Sequence, residues 1–297
     1  MHQFSSRNLF FQAILAFMAL GFCFCHAQKP AAVAVEVPAP LYYDLDHPAS
    51  IITFDNEDLK EISALSPTDE KGIYLAISDE KGEFFFIDAG TGTITRRVLF
   101  REKGDFEGAE MVGDALWALK SDGTLFEISP WKSEPIQVKE FDTPLKKKDD
   151  VEGLGYDAGR HALLLACKGD PDSAYLRNIY TFDLQTKMLD EKPLYAIDPK
   201  IINRLVPYLD TEKHDFFSPS AVAIHPIDGN VYVISTALKR LVVLDKSSGK
   251  IRFATRLEKS VFPQPEGIAF DSEGNLYISS EGKKDNGRLL KFDYHKK

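Results

Sequence analysis

The dipeptide Glu-Gly recurs in three similar settings, "DFEG" ending at Gly108, "DVEG" ending at Gly153 and "QPEG" ending at Gly267. Each copy opens a short apolar run. If the fold gathers Glu107, Glu152 and Glu266 at one place, they cannot all stay ionised cheaply, because each carboxylate raises the pKa of its neighbours. A bound cation removes that conflict. No His or Cys pattern accompanies the three, so the donors are oxygen only, and Ca²⁺ suits carboxylates, carbonyls and water better than Mg²⁺ with its tight octahedron. The competing reading has each glutamate merely starting a strand and bonding the backbone of a neighbouring turn, since Glu-Gly before an apolar residue is a short motif.

What would gather them is an internal repeat. "EISALSPTDEKGIYLAISDEKGEFFFID" from Glu61 and "SPSAVAIHPIDGNVYVIST" from Ser218 repeat the same phrase without the glutamate. Aligned on the strand that follows, Ser63, Glu107, Glu152, Ser220 and Glu266 are equivalent, their numbers differing by 44, 45, 68 and 46 in turn. Each unit reads as strand, tight polar turn, strand, loop, strand, turn, strand, with hairpin signals such as "IDGN" and "SEGN". Four antiparallel strands per unit of about 45 residues predict an all-β fold, a five-bladed β-propeller. The last repeat ends at Lys297 without a fourth strand, so residues 50 to 55 are expected to close the final blade and leave no open edge there. The long separation before Ser220 predicts an insertion near 196–216, with a helix around Ile201 to Leu209 lying across one mouth of the ring. A degenerate sixth blade is the alternative.

In a propeller the first strand of each blade lines the central channel, so the five equivalent positions converge. Side chains alternate along a strand, which adds Glu61, Asp105, Asp150, Ser218 and Gln264 to the same mouth. The antiparallel second strand returns to that mouth and brings Asp79, Lys120, Lys168, Ser235 and Glu281. The predicted metal ligands are Glu107, Glu152 and Glu266. Ser63, Asp79, Asp105, Lys120, Asp150, Lys168, Ser220 and Glu281 are the candidate ligand-binding residues around them. Lys168 would bind an anionic ligand or neutralise surplus carboxylate, unless it is a solvated loop lysine.

The chain has 297 residues, 44% of them hydrophobic, and a formal charge of −9. This fits one globular unit with a sizeable core. The acidic balance argues against nucleic acid as a partner and favours cations or basic surfaces. Arg7, an apolar run from Leu9 to Cys25 and "CHAQ" read as a signal peptide over residues 1–27. A retained anchor is the alternative, the run of about 17 residues being marginal for a span, and a lipid anchor is a third. Cleavage leaves Cys167 as the sole cysteine and excludes an intrachain disulfide. Residues 28–44 are rich in Pro and Ala and read as a tether, with the propeller over 45–297.

At "DFEG", "DVEGLGYD", "LLLACKG", "SAVAIHP" and "PQPEGIAFDSEGNLYISSEG" the sequence resembles the SdiA-regulated family of bacterial envelope propellers, which are NHL-like. The resemblance spans roughly residues 45 to 294. It implies a five-bladed propeller, a calcium site at Glu107, Glu152 and Glu266, an N-terminal export or membrane-targeting segment and no established biochemical activity. The chain departs from the family's pattern at Ala64 and Ala221, where Gly tends to follow the Ser. The expected function is that of an exported, periplasmic or envelope-associated, monomeric calcium-binding propeller. It would recognise a small molecule or an envelope protein at the channel mouth, touching membrane at most through the N-terminal segment. The alternative is a metal-dependent hydrolase of lactonase or esterase type. No G-x-S-x-G or H-E-x-x-H supports that reading, and the S-x-x-K matches at Ser78, Ser129 and Ser280 lack placed partners. His225 is read as a turn residue at the opposite mouth.

Overall fold

Apolar runs such as "FFFI" at residues 84–87 and "LLLA" at 163–166 lack the alternation of a half-exposed strand. Such runs suit strands covered on both faces. A computed structural model describes residues 42–169, 175–210, 212, 215–282 and 285–295. The expected signal peptide (1–27) and most of the expected tether (28–44) lie outside the described residues.

Five antiparallel sheets stand around one axis. Blade 1 comprises Ile62–Pro67, Ile73–Ser78, Gly82–Asp88 and Ile94–Arg101. Blade 2 comprises Phe106–Val112, Ala115–Lys120, Leu125–Ile128 and Val138–Phe141. In blade 3, Val151–Asp157, Ala162–Cys167 and Arg177–Asp183 are followed by an outer strand split into Met188–Leu189 and Tyr195–Ile197, both paired to the third strand. Blade 4 comprises Ala221–Ile224, Val231–Ser235, Arg240–Leu244 and Ile251–Arg256. Blade 5 comprises Pro265–Phe270, Leu276–Ser280 and Arg288–Phe292, and Ser50–Thr53 pairs with the last of these as its fourth strand. The two ends of the chain thus share one sheet, and the ring is closed by hydrogen bonds as the repeat count required.

The core follows from this arrangement. It divides into five apolar clusters, each shared by two adjacent sheets. Successive side chains of one strand serve two different clusters, so Phe84 and Phe86 face blade 2 while Phe85 and Ile87 face blade 5. That double burial is why the strands read as continuous apolar runs. Against blade 2, Phe86 stacks on Trp131 with ring centroids 4.7 Å apart. Between blades 4 and 5, Tyr43 packs among Tyr232, Phe270 and Tyr294, and its hydroxyl donates to the Gly274 carbonyl at 2.6 Å.

The insertion contains a helix at Pro199–Leu205, capped by Asp198 and shorter than the expected 201–209. Ile201 and Ile202 sink into the cluster between blades 3 and 4. Farther on, Glu212 is held by Arg240 and Arg256. These are the third and fourth strands of blade 4 rather than the channel-lining one, so the excursion is anchored at the rim and not across the axis.

Around the axis the inner strands approach so closely that side chains are excluded. A Cβ on Gly267 would lie 2.6 Å from the Ala64 carbonyl carbon of the next blade, and one on Gly153 would lie 3.3 Å from the Ala221 Cα of the next blade as well as 2.9 Å from the Ala166 Cβ of its own. Gly108 is hemmed in by Leu154 in the same way. Gly267→Ala is therefore expected to destabilise the protein by about 1–3 kcal/mol through overpacking against fixed backbone. Gly72→Ala, at a φ of +80° with open space around its Cβ, isolates the cost of backbone strain alone. Denaturant midpoints of the two variants, compared with the unaltered chain, separate the two effects.

Candidate functional site

The glutamates owe their direction to an extra residue in each first strand. Phe106 pairs with Lys120 and Gly108 with Leu119, leaving Glu107 as the residue in excess. Glu152, between Val151 and Gly153, and Glu266, between Pro265 and Gly267, occupy the same bulge. A bulge re-aims the side chain at its extra residue and sharpens the local bend. The following glycine then permits the contact with the neighbouring inner strand. Glu-Gly is thus one structural unit, a bulged carboxylate followed by a residue without a side chain. Blade 1 has the irregularity too, between Ser63 and Ser66, and there Ala64 takes the left-handed φ of 63° that glycine adopts more freely. Ala221 shows no positive φ. Of the two departures from the family pattern, only that at Ala64 places a residue other than glycine in the left-handed region.

The structure brings most of the expected residues to one mouth. Lys168 donates a short hydrogen bond to Glu152 Oε1. Burial, then the charges of Glu152 and Asp105, push the Glu107 carboxyl up to about 8, with Lys168 acting against them. Glu152 is raised to about 7 by burial in spite of its lysine partner. Burial, followed by Glu152 and Glu281, holds Glu266 well above the usual carboxylate range. Glu281 also rises to about 7, through burial and then Asp79 and Glu61. Asp79 and Asp150 are raised mainly by burial. For Lys168 burial disfavours the ammonium, but Glu152, Asp150 and Glu266 outweigh it and its pKa rises. The mouth is a set of carboxyls short of positive charge, with Lys168 as the ammonium that reaches all three glutamates.

The remaining candidates have local partners. Ser121 donates to the Asp105 carboxylate, and Asp105 O accepts from Ser121 N at 3.0 Å. Ser220 Oγ donates to Pro265 O at 3.1 Å, tying blade 4 to blade 5. Ser63 is buried. Lys120 is a correction. It pairs with Phe106 within the sheet and its ammonium binds Asp122 at 3.1 Å. The residues following the second strands are Asp79, Ser121, Lys168, Thr236 and Glu281, so Ser121 holds the place expected for Lys120. Thr236 was missed as well, although its hydroxyl donates to the Pro265 carbonyl next to Glu266. A register count from Phe106 through the bulge, rather than simple alternation, would have found Ser121, while Thr236 is the residue after a second strand whose blade has no bulge.

Among the described residues, no group of three or more His, Cys, Asp or Glu side chains is arranged to hold a metal ion. The donor chemistry nonetheless fits a hard cation, because carboxyls whose proton affinity is raised can exchange those protons for positive charge. What stands between the two states is the Lys168–Glu152 pair.

Comparison with solved structures supports the architecture. The chain is 13% identical to the glutaminyl cyclase of Myxococcus xanthus over 84% of this chain and 96% of that one, with a TM-score of 0.55. A luciferin-regenerating enzyme is 10% identical over 83% and 95% of the two chains, with a TM-score of 0.50. At such identities the likeness is one of fold. No curated protein matches the sequence. The SdiA-regulated family model, by contrast, matches residues 53–284, and the chain belongs to that family.

Proposed function

We propose that this protein is a recognition propeller of the cell envelope whose acidic channel mouth takes up a hard cation, Ca²⁺ by its donor type, and presents it to a small-molecule or protein partner. One observation carries the reading: Glu107, Glu152 and Glu266 are bulged to one channel mouth where desolvation, and then neighbouring carboxylates for Glu107 and Glu266, raise their pKa values against the single ammonium of Lys168. Glu107, Glu152 and Glu266 would hold the ion, and Lys168 would release Glu152 as it arrives. Supporting the envelope setting is the leader-like sequence from Arg7 to Ala27.

Proton linkage gives the first test. A carboxyl whose folded pKa lies above its unfolded value binds more protons in the native state, so stability falls as pH rises between the two values. With Glu152 and Glu281 at about 7 and Glu107 at about 8, the melting temperature without cations should fall from pH 5 to pH 8.5. Added Ca²⁺ should raise it more at pH 8.5 than at pH 5.5. A calcium effect that is absent, or equal at both pH values, contradicts the reading.

Variants supply two more. Glu107→Gln combined with Glu152→Gln should abolish saturable calcium binding in calorimetry and flatten the pH dependence of melting. Lys168→Gln removes the resident competitor, so calcium affinity should increase about tenfold while the calcium-free protein melts lower, its carboxylates having lost their partner. Weaker calcium binding by Lys168→Gln would show that the lysine assists the ion rather than competing with it.

A further inference from the structure

The inner strands also build the far end of the channel. Three residues beyond each mouth position lie Ser66, Glu110, Gly155, Ala223 and Ala269, equivalent by their pairing with Leu75, Trp117, Leu164, Tyr232 and Tyr277. Four of the five are small, and Glu110 is the exception. Its carboxyl accepts a hydrogen bond from Ser66 Oγ of blade 1 at 2.6 Å, and the residue is only 7% exposed. Beyond this layer opens a cavity of about 560 Å³, walled by Met111, Tyr156, Ile224, Ile268 and Phe270, with Glu110 among its lining residues. That volume lies within the ordinary range of small-molecule sites, which pair apolar walls with a few placed polar groups.

The charges of the cavity favour one sign of ligand. Asp157, fully buried, lies two residues nearer the opening; its Oδ2 receives no hydrogen bond, although Arg160 Nε stands 3.4 Å away. Lys246 is committed to Asp157 Oδ1 at 2.6 Å. Asp271 accepts the turn N–H groups of Glu273 and Asn275, and His225 Nδ1 accepts those of Ile227 and Asp228. Tyr156 is the remaining titratable group of the lining. Glu110 is therefore the deep charge-bearing group, and no basic side chain is bonded to it among the described residues. We propose that this cavity is a second binding site, for an organic ammonium ligand whose apolar body fills the walls and whose protonated amine pairs with Glu110.

The ligand class sets a pH signature. Burial pushes Glu110 up to about 8, so at neutral pH an incoming ammonium expels the carboxyl proton to solvent and the ion pair replaces a neutral acid. Affinity should therefore rise with pH until Glu110 is ionised.

Phenethylamine and 2-phenylethanol, which differ only in the amine and hydroxyl, make the comparison in calorimetry with the full chain. The amine should bind at least about tenfold more tightly than the alcohol at pH 8.5, and its affinity should rise about tenfold from pH 6.5 to 8.5 while that of the alcohol stays level. Glu110→Gln keeps the shape and the Ser66 bond, and should erase both the preference and the pH dependence. Ala223→Leu, which fills the cavity from blade 4 without touching the carboxyl, should weaken both probes alike. Equal binding of amine and alcohol by the unaltered protein, no binding of either, or an amine preference that survives Glu110→Gln overturns the proposal. Loss of the preference in Glu152→Gln instead would move the amine site to the other mouth and overturn it equally. Calcium binding is read separately, so either site can fail without the other.

Discussion

Crowding of five inner strands around one axis governs the rest of the molecule. Where Gly267 passes Ala64 and Gly108 passes Leu154 there is no room for a Cβ, and where Gly153 passes Ala221 a Cβ would be tight. The strand accommodates the approach by bulging one residue earlier, and the bulged residue is turned toward the channel mouth. The same crowding keeps the layer three residues farther on at Ser, Gly and Ala, apart from Glu110. Packing near the axis thus decides where acidic side chains can project, and the two channel ends acquire their chemistry as a consequence of closing the ring.

Closure in turn depends on the outer elements. Ser50–Thr53 completes blade 5 from the far end of the sequence, and five interblade clusters hold the sheets at fixed angles to one another. Rigid blades are what allow carboxyls to stay buried at unfavourable pKa values, because each group lacks the freedom to swing into water. A looser mouth would relax toward ordinary carboxylates.

The repeat phrase made the fold legible: five units, the Glu-Gly pairs and the missing last strand were enough to predict blade number and closure. The site was legible to the extent that its residues lie at the repeated position itself. It failed where a bulge shifts the alternation by one, as at Lys120, whose ammonium turns to Asp122 while Ser121 takes the mouth. Glu110 escaped notice for the same reason, since its place in the channel is visible only once the extra residue at Glu107 is counted. The split outer strand of blade 3 and the rim position of the insertion carry no periodic signal. The first is fixed by its pairing to Arg177–Asp183 and the second by Arg240 and Arg256.

Glu212 shows what the mouth lacks. Burial pushes its carboxyl up as it does Glu152, but Arg240 and Arg256 outweigh this and bring it down to about 2. Glu152, with a lysine bonded directly to it, still rises to about 7, because its deeper burial outweighs that one ammonium and the charges of Asp150 and Asp105 add to the rise. The two sites belong to one protein, contain the same residue type and differ both in burial and in the ratio of cations to carboxyls. Two guanidinium groups on one carboxylate make a closed structural pin. One ammonium among several carboxyls leaves charge that protons balance at low pH and that, in the proposed function, a divalent cation would balance when protons become scarce.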